Sequence, residues 1–318
     1  MTPQGRARHD ALRCHAAALR AVDAAMLTGR ALDAAADGIV LRRPGGRVLA
    51  RHDGPVRLIA AGKAAPAMMA TALDRLGPRV REALVVAPRG LAIARHARLA
   101  VARASHPVPT ADSVRAARAA LSLAAATGRD EVLIVLLSGG TSSLLALPSA
   151  GVTLRDKQAV TALLLGAGAD VADLNTVRRH CSRLKGGGLL RAAAAARAVW
   201  TIVLSDVLGD DLATVGSGPT VPDPTSFADA LAVLEGLGVL DRTPAAVVRH
   251  LRAGRRAERS RSRGGGPRTP TRHVVVGNNA TAVRAAARIA SSWPAARASI
   301  IARSSALCVT SIASCSSK

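Results

Sequence analysis

Apolar residues follow two rhythms along this chain of 318 residues. Short runs at 56–60 (VRLIA), 83–87 (ALVVA), 132–137 (VLIVLL), 199–204 (VWTIVL) and 273–277 (HVVVG) are rich in branched residues. Several end abruptly in small or polar residues, Ser138-Gly139-Gly140-Thr141-Ser142-Ser143 most sharply. Runs this short predict strands, and 132–137 reads as one buried on both faces, as in a parallel sheet. Between them, helical spacing predicts helices over 10–27, through Met68, Met69 and Leu73 to Gly77-Pro78, and over 111–126. Further helices are predicted over 153–169, 174–185, 227–237 and 244–251. Thr110 or Asp112 can cap the third, and Thr153 with Asp156 has the spacing of a capping box. Gly29, Gly38 and Pro44-Gly45-Gly46 mark a looser region. Alternating strands and helices predict an α/β fold with a Rossmann-like, mainly parallel sheet.

The pattern divides the chain. Residues 1–251 read as one α/β domain. At 252–272 the composition shifts to Arg, Ser, Gly and Pro, which predicts a disordered linker. The strand at 273–277 and a helix to about 290 read as the first strand and helix of a second α/β domain. From 291 to 318 the rhythm stops, and this Ser-rich tail is expected to be unfolded.

Hydrophobic residues make up 49%, yet aromatic ones are two Trp, one Phe and no Tyr, so the core is expected to be Ala, Val and Leu. A net charge of +23 invites a basic nucleic-acid binder. The arginines are spread over nearly every helix, however, and the stacking aromatics of single-strand binders are missing, so nucleic acid is not an expected partner. Anionic small substrates fit the charge equally well. Four cysteines form no CxxC pair, which supports neither a zinc site nor a disulfide framework and predicts a reducing compartment. No signal peptide or membrane-spanning run is apparent, so a soluble cytoplasmic protein is expected.

Three polar loops follow predicted strands: Gly62-Lys63, Ser138–Ser143 and Ser205–Asp211. In open α/β sheets ligands sit beyond the carboxyl ends of the strands, so these loops should converge on one crevice. Ser138, Gly139, Gly140, Thr141 and Ser142 combine close backbone approach with hydroxyls at a helix start, as an anion site requires. An ordinary strand–helix turn looks the same. Lys63 offers a cation for a phosphate or carboxylate, or is a surface lysine. Asp206, Asp210 and Asp211 can hold Mg²⁺ through oxygen ligands, or cap turns in water. Asn175 and Arg178 share a helix face, His180 points elsewhere, and Lys185 closes this basic stretch. His106, between Ser105 and Pro107, serves a site or its own loop. Together these are the parts of phosphoryl transfer.

The blocks AAGKAAPAM (60–68), SHPVPTADS (105–113), LLSGGTSSLL (136–145), LNTVRRHCSRLKGGGL (174–189) and LSDVLGDDLATVGSGPTVPD (204–223) resemble, in order, the glycerate 2-kinase family with a MOFRL-type C-terminal domain. Some of its members carry the older label hydroxypyruvate reductase. The resemblance spans roughly residues 10 to 290. It implies a two-domain α/β protein with its site in the cleft, and ATP-dependent phosphorylation of D-glycerate to 2-phosphoglycerate with a divalent metal. It places the catalytic lysine at Lys63. The 138–142 turn, Asn175, Arg178 and Lys185 become phosphate- or substrate-binding walls, and Asp206 and Asp210 the holders of Mg²⁺. A homodimer is compatible with this reading. A hydroxypyruvate or tartronate-type reductase is the alternative, although no GxGxxG follows a predicted strand.

One departure stands out. The family continues into a second domain with SGGET and GGRNQE-like blocks, the latter supplying an arginine to the cleft. Neither occurs here. The tail at 291–318 therefore reads as a shifted frame or premature stop, and the resemblance then implies reduced or absent activity. A lost charge contact in phosphoryl transfer can cost on the order of 10³-fold in rate.

Overall fold

A computed structural model describes residues 2–35, 38–260 and 269–292. The single helix predicted over 10–27 is two, α1 (Pro3–Ala21) and α2 (Ala24–Ala31). The break falls where Asp23 accepts a hydrogen bond from the Met26 N–H and caps the second. The loose region that follows is an antiparallel meander: β1 (Leu32–Ala35), β2 (Gly38–Arg42) and β3 (Val48–His52). Pro44-Gly45-Gly46 makes its hairpin turn, with Gly45 and Gly46 at φ 91° and 86°, a region open mainly to glycine.

The rest alternates: β4 (Val56–Ala61), α3 (Ala65–Leu76), β5 (Val80–Pro88), β6 (Leu99–Ala104), α4 (Ala111–Ala125), β7 (Val132–Leu137). After a one-turn helix, α5 (Thr141–Leu144), come α6 (Leu154–Gly166), α7 (Val171–His180) and α8 (Gly188–Ala192). The chain continues through β8 (Ala198–Leu204), α9 (Phe227–Gly236), α10 (Ala245–Ser260), β9 (Thr271–Gly277) and α11 (Asn279–Ser291). Six parallel strands form one sheet in the order β6-β5-β4-β7-β8-β9. The chain steps outward from β4 to β6, then restarts beside β4 with β7 and steps outward the other way. The order reverses between β4 and β7, which is where open α/β sheets bind ligands.

Successive strand residues point to opposite faces of the sheet. Leu58, Ile134, Leu136 and Trp200 pack with Met68 and Met69 of α3 and with the meander. Ile59, Leu133, Val135 and Leu137 pack with the alanine face of α4, Ala116, Ala117 and Ala120, and with Leu189 of α8. Each fully buried branched side chain contributes roughly 1.5–3 kcal/mol. A third cluster, Val160, Leu164, Val177, Leu231, Leu234 and Leu251, joins α6, α7, α9 and α10 into a helical layer.

Two boundary expectations are corrected. The predicted linker at 252–272 is helical through Ser260 and strand from Thr271; residues 261–268 lie outside the described residues. Tertiary contact overrides composition here, because Phe227 packs on Gly254 of α10 and its N–H donates to Glu258 at 3.0 Å. The strand expected to open a second domain is instead the sixth strand of the first sheet, with Val274 and Val276 buried against β8. The expectation of an unfolded tail lies outside the described residues from 293 onward. No described helix is long and apolar enough to cross a membrane.

Candidate active site

Because β4 and β7 pair in register to their last residues, Ala61 with Leu137, the two loops beyond them emerge side by side. Gly62 has φ +129°, and a Cβ there would lie 2.1 Å from Ser138 Oγ, so only glycine allows the crossing. The loops are then stitched together. The Lys63 N–H donates to the Gly139 carbonyl at 2.9 Å and the Ala64 N–H to Ser138 Oγ at 3.0 Å. Thr141 Oγ1 lies 2.7 Å from the carbonyls of both Ala61 and Ser138. The hydroxyls of Ser138 and Thr141 are thus committed to the loop itself. Among the described residues the Gly139 and Gly140 N–H groups have no hydrogen-bond acceptor.

Three side chains ring this turn. A Cβ on Gly139 would lie 2.3 Å from Asp206 Oδ2; one on Gly140, at φ +90°, would lie 2.9 Å from His106 Cδ2 and 3.6 Å from Lys63 Cγ. Both glycines are therefore places where functional groups press on the backbone. The loops after β4, β6, β7 and β8 meet here, as the topology requires.

A second group lies along α5. Ser142 Oγ receives Lys185 Nζ at 2.6 Å and Arg178 Nη2 at 2.7 Å, and lies 2.8 Å from Ser217 Oγ. A hydroxyl has two acceptor sites and one proton, so with both sites taken Ser142 donates to Ser217. Ser217 in turn donates to Asn175 Oδ1 at 3.1 Å. Lys185 also holds the Ser142 carbonyl at 2.7 Å and is 2% exposed. Among the described residues neither Arg178 nor Lys185 has a carboxylate partner. Burial, then the charges of Arg178 and Lys157, push the Lys185 ammonium well below its ordinary range, and burial lowers Arg178 as well. Two cations sharing a neutral oxygen make a site that favours an anion.

The helix predicted over 174–185 stops at His180, and Lys185 sits on the turn leading to Gly186 and Gly187. Adjacent helix positions then divide the work. Arg178 faces Ser142, whereas Arg179 Nε donates to Asp223 at 2.9 Å on another side. His180 Nδ1 lies 2.9 Å from the Thr176 carbonyl and stacks edge-on with Phe227, away from the strand ends.

The aspartates separate by role. Asp206 is exposed beside Gly139, without an ion-pair or hydrogen-bond partner among the described residues. Asp210, at φ 55°, accepts a hydrogen bond from Asn278 through Oδ2, and its buried Oδ1 has no partner there. Asp211 accepts from Ala213 N–H and Thr214 Oγ1 and serves its own turn. Among the described residues no group of three or more His, Cys, Asp or Glu is arranged to hold a metal.

The candidate residues fall into these two groups except His180, Asp210 and Asp211, and Asp210 lies on the same loop as Asp206, tied to the turn before α11. Sequence reasoning left His106 undecided and did not single out Ser217. Burial and the Lys63 charge lower the His106 imidazole, while Asp206 opposes them.

The family described as a domain of unknown function, DUF4147, matches residues 10–252. A protein of Agrobacterium vitis named a putative hydroxypyruvate reductase is 43% identical over 59% of this chain and 43% of its own. A D-glycerate 2-kinase of Thermotoga maritima is 40% identical over 58% of this chain and 44% of its own. The crystal structure of a Pyrococcus horikoshii OT3 protein superposes with a TM-score of 0.77 at 32% identity, covering 89% of this chain and 63% of that one. The chain spans about half the length of the curated relatives it matches.

Proposed function

Since the chain belongs to the DUF4147 family, of which its residues 10–252 are a match, we propose that its strand-end site serves transfer of the terminal phosphoryl group of ATP to a hydroxyl of D-glycerate. One observation carries this reading: a lysine, two free glycine amides and an uncompensated carboxylate converge at the β4–β7 reversal, beside an unpaired Arg–Lys couple. Phosphoryl transfer needs positioning and neutralisation of charge more than covalent chemistry, and these groups supply both.

Lys63 neutralises the transferred phosphoryl oxygens, and the Gly139 and Gly140 N–H groups donate to them. Arg178 and Lys185 bind the second anion, the carboxylate of glycerate or a phosphate of the nucleotide. The hydroxyls of Ser138, Thr141 and Ser142 keep the loop in shape instead of meeting phosphate directly. Asn175, fixed through Ser217, keeps its amide N–H₂ for a ligand oxygen.

Asp206 and Asp210 fit a divalent cation: one carboxylate is unpaired beside the phosphate turn, and the other has an orphaned buried oxygen. Mg²⁺ is commonly held by one or two carboxylates plus phosphate oxygens, and bound there it would offset charge on the triphosphate. A reductase reading rests on the name of the Agrobacterium relative, but the turn after β4 reads Ala61-Gly62-Lys63-Ala64-Ala65, without a dinucleotide fingerprint. Cys14 and Cys181, buried and free, suit a reducing cytosol.

The test is site-resolved acylation of lysines by an N-hydroxysuccinimide ester, read by peptide mass analysis. Mg·ATP should slow acylation of Lys63 at least about tenfold, and Asp206→Asn should weaken that protection. Unchanged acylation of Lys63 at saturating Mg·ATP overturns the reading.

A further inference from the structure

Resting on that kinase reading, we infer that His106 is the group that receives the acceptor hydroxyl and its proton. The imidazole stands on the glycine turn itself, with Nε2 3.2 Å and Cδ2 2.9 Å from where a Gly140 Cβ would be, and the stem of Lys63 lies against the same point. Neither ring nitrogen has a hydrogen-bond partner among the described residues, unlike His52, His180, His250 and His273, whose rings all meet carbonyl oxygens. The ring is half-buried, so one edge remains open to the crevice.

Its charged neighbours are Lys63 and Asp206. An ordinary imidazole is already mostly neutral near pH 7.5, and burial with Lys63 keeps this one so. A neutral ring with the proton on Nδ1 presents Nε2 as an acceptor. Among the described residues, no other side chain against Gly139-Gly140 can accept a hydroxyl proton while leaving the acidic one free for a cation. Lys63 is a donor, and Asp206 is assigned to metal.

In the step, the glycerate hydroxyl oxygen forms a bond to the γ-phosphorus. The bond from phosphorus to the β–γ bridging oxygen breaks, and its electron pair leaves with ADP. The hydroxyl proton passes to Nε2 and from the imidazolium to solvent. Proton transfer by a placed side chain is worth typically 10²–10⁴-fold in rate.

The test uses the full chain and does not need turnover. Diethyl pyrocarbonate carbethoxylates neutral imidazoles, and mass analysis reads each histidine separately. With Mg·ADP present, D-glycerate should slow modification of His106 several-fold while His9 and His96, on exposed surface, are unaffected. His106→Gln should weaken D-glycerate binding by about fivefold to tenfold, the equivalent of one hydrogen bond. Lys63 should remain protected by Mg·ATP in that variant, which shows that the site is folded. If Mg·ATP protects Lys63 but D-glycerate leaves His106 equally reactive, the assignment of His106 is overturned and the kinase reading stands. If neither residue is protected, both fall.

Discussion

The backbone N–H of Lys63 reaches the carbonyl of Gly139 at 2.9 Å, so the lysine and the glycine turn are parts of one rigid crossing between the ends of β4 and β7. The crossing exists because Gly62 carries no Cβ. Gly62→Ala would set a methyl 2.1 Å from Ser138 Oγ at φ +129°, whereas Gly90→Ala, at φ +86°, meets nothing within 4 Å. Gly90→Ala should cost about 1 kcal/mol of backbone strain, and Gly62→Ala more than about 3 kcal/mol. Urea unfolding of both variants checks this; equal losses would mean the crossing tolerates a side chain.

Gly139→Ala should behave differently. Its Cβ meets the end of the Asp206 side chain, which can swing toward water. Stability should fall by less than about 1 kcal/mol, while Mg·ATP affinity drops about tenfold, a change of ~1.4 kcal/mol. Calorimetric titration beside a thermal melt separates the two; unchanged affinity would detach Asp206 from metal binding.

Ser142 is the common acceptor for a buried lysine and a half-buried arginine, and Ser142→Ala leaves both without it. Hydrogen bonds to charged groups are worth roughly 1.5–3 kcal/mol each, so a loss of about 3 kcal/mol is expected, the low end for two bonds because Lys185 keeps the Ser142 carbonyl. Adding Lys185→Met should restore part of that stability, because an apolar side chain has no unmet charge. A double-variant cycle by denaturant unfolding decides it, and simple additivity would count against the shared-acceptor geometry.

Stability should rise with pH in a narrow alkaline window. Burial lowers the Lys157 ammonium from an ordinary 10.5 to about 8, although its Nζ donates to the carbonyls of Cys181 and Arg178. Below about pH 8 folded and unfolded chains both hold that proton, and the desolvation cost is carried in full. Between 8 and 10.5 only the unfolded chain keeps it, so stability increases. Burial pushes the Cys181 thiol up from 9.0 to about 11, which lowers stability between those values. The net rise is therefore concentrated near pH 8–9. Unfolding free energies at pH 7.5, 8.5 and 9 should climb more steeply in the native sequence than in Lys157→Met. Removing Lys157 also lifts its charge from Lys185 and Cys181, so the difference between the two proteins reads Lys157 together with these couplings.

The strands that build the site were legible wherever the sheet buries both faces. All of Val132–Leu137 is buried, and its uninterrupted apolar run says so. β6 is an edge strand in which only Ala104 is fully buried and the adjacent Ala100 and Val101 are exposed, and its sequence LAVARA has no such signature. Its pairing with β5 makes it a strand, and pairing is not written in a local window. Without β6, His106 could not be placed among the strand-end loops, because it comes two residues after that strand's carboxyl end. With β6 in place, the 105–110 loop joins the others at the same edge of the sheet. The end of α7 was overrun because the basic stretch continues past His180, while the chain turns at Gly186 and Gly187, whose positive φ is visible only in three dimensions.

Placing β9 beside β8 has a consequence for how the molecule is made. A ribosome releases β8 well before β9, with α9 and α10 emerging between them. During that interval the outer flank of β8 has its backbone groups unmatched, a template for any passing extended segment. The nascent protein is thus most vulnerable to wrong partners after five of its six parallel strands exist, and the arrival of 271–277 ends that vulnerability.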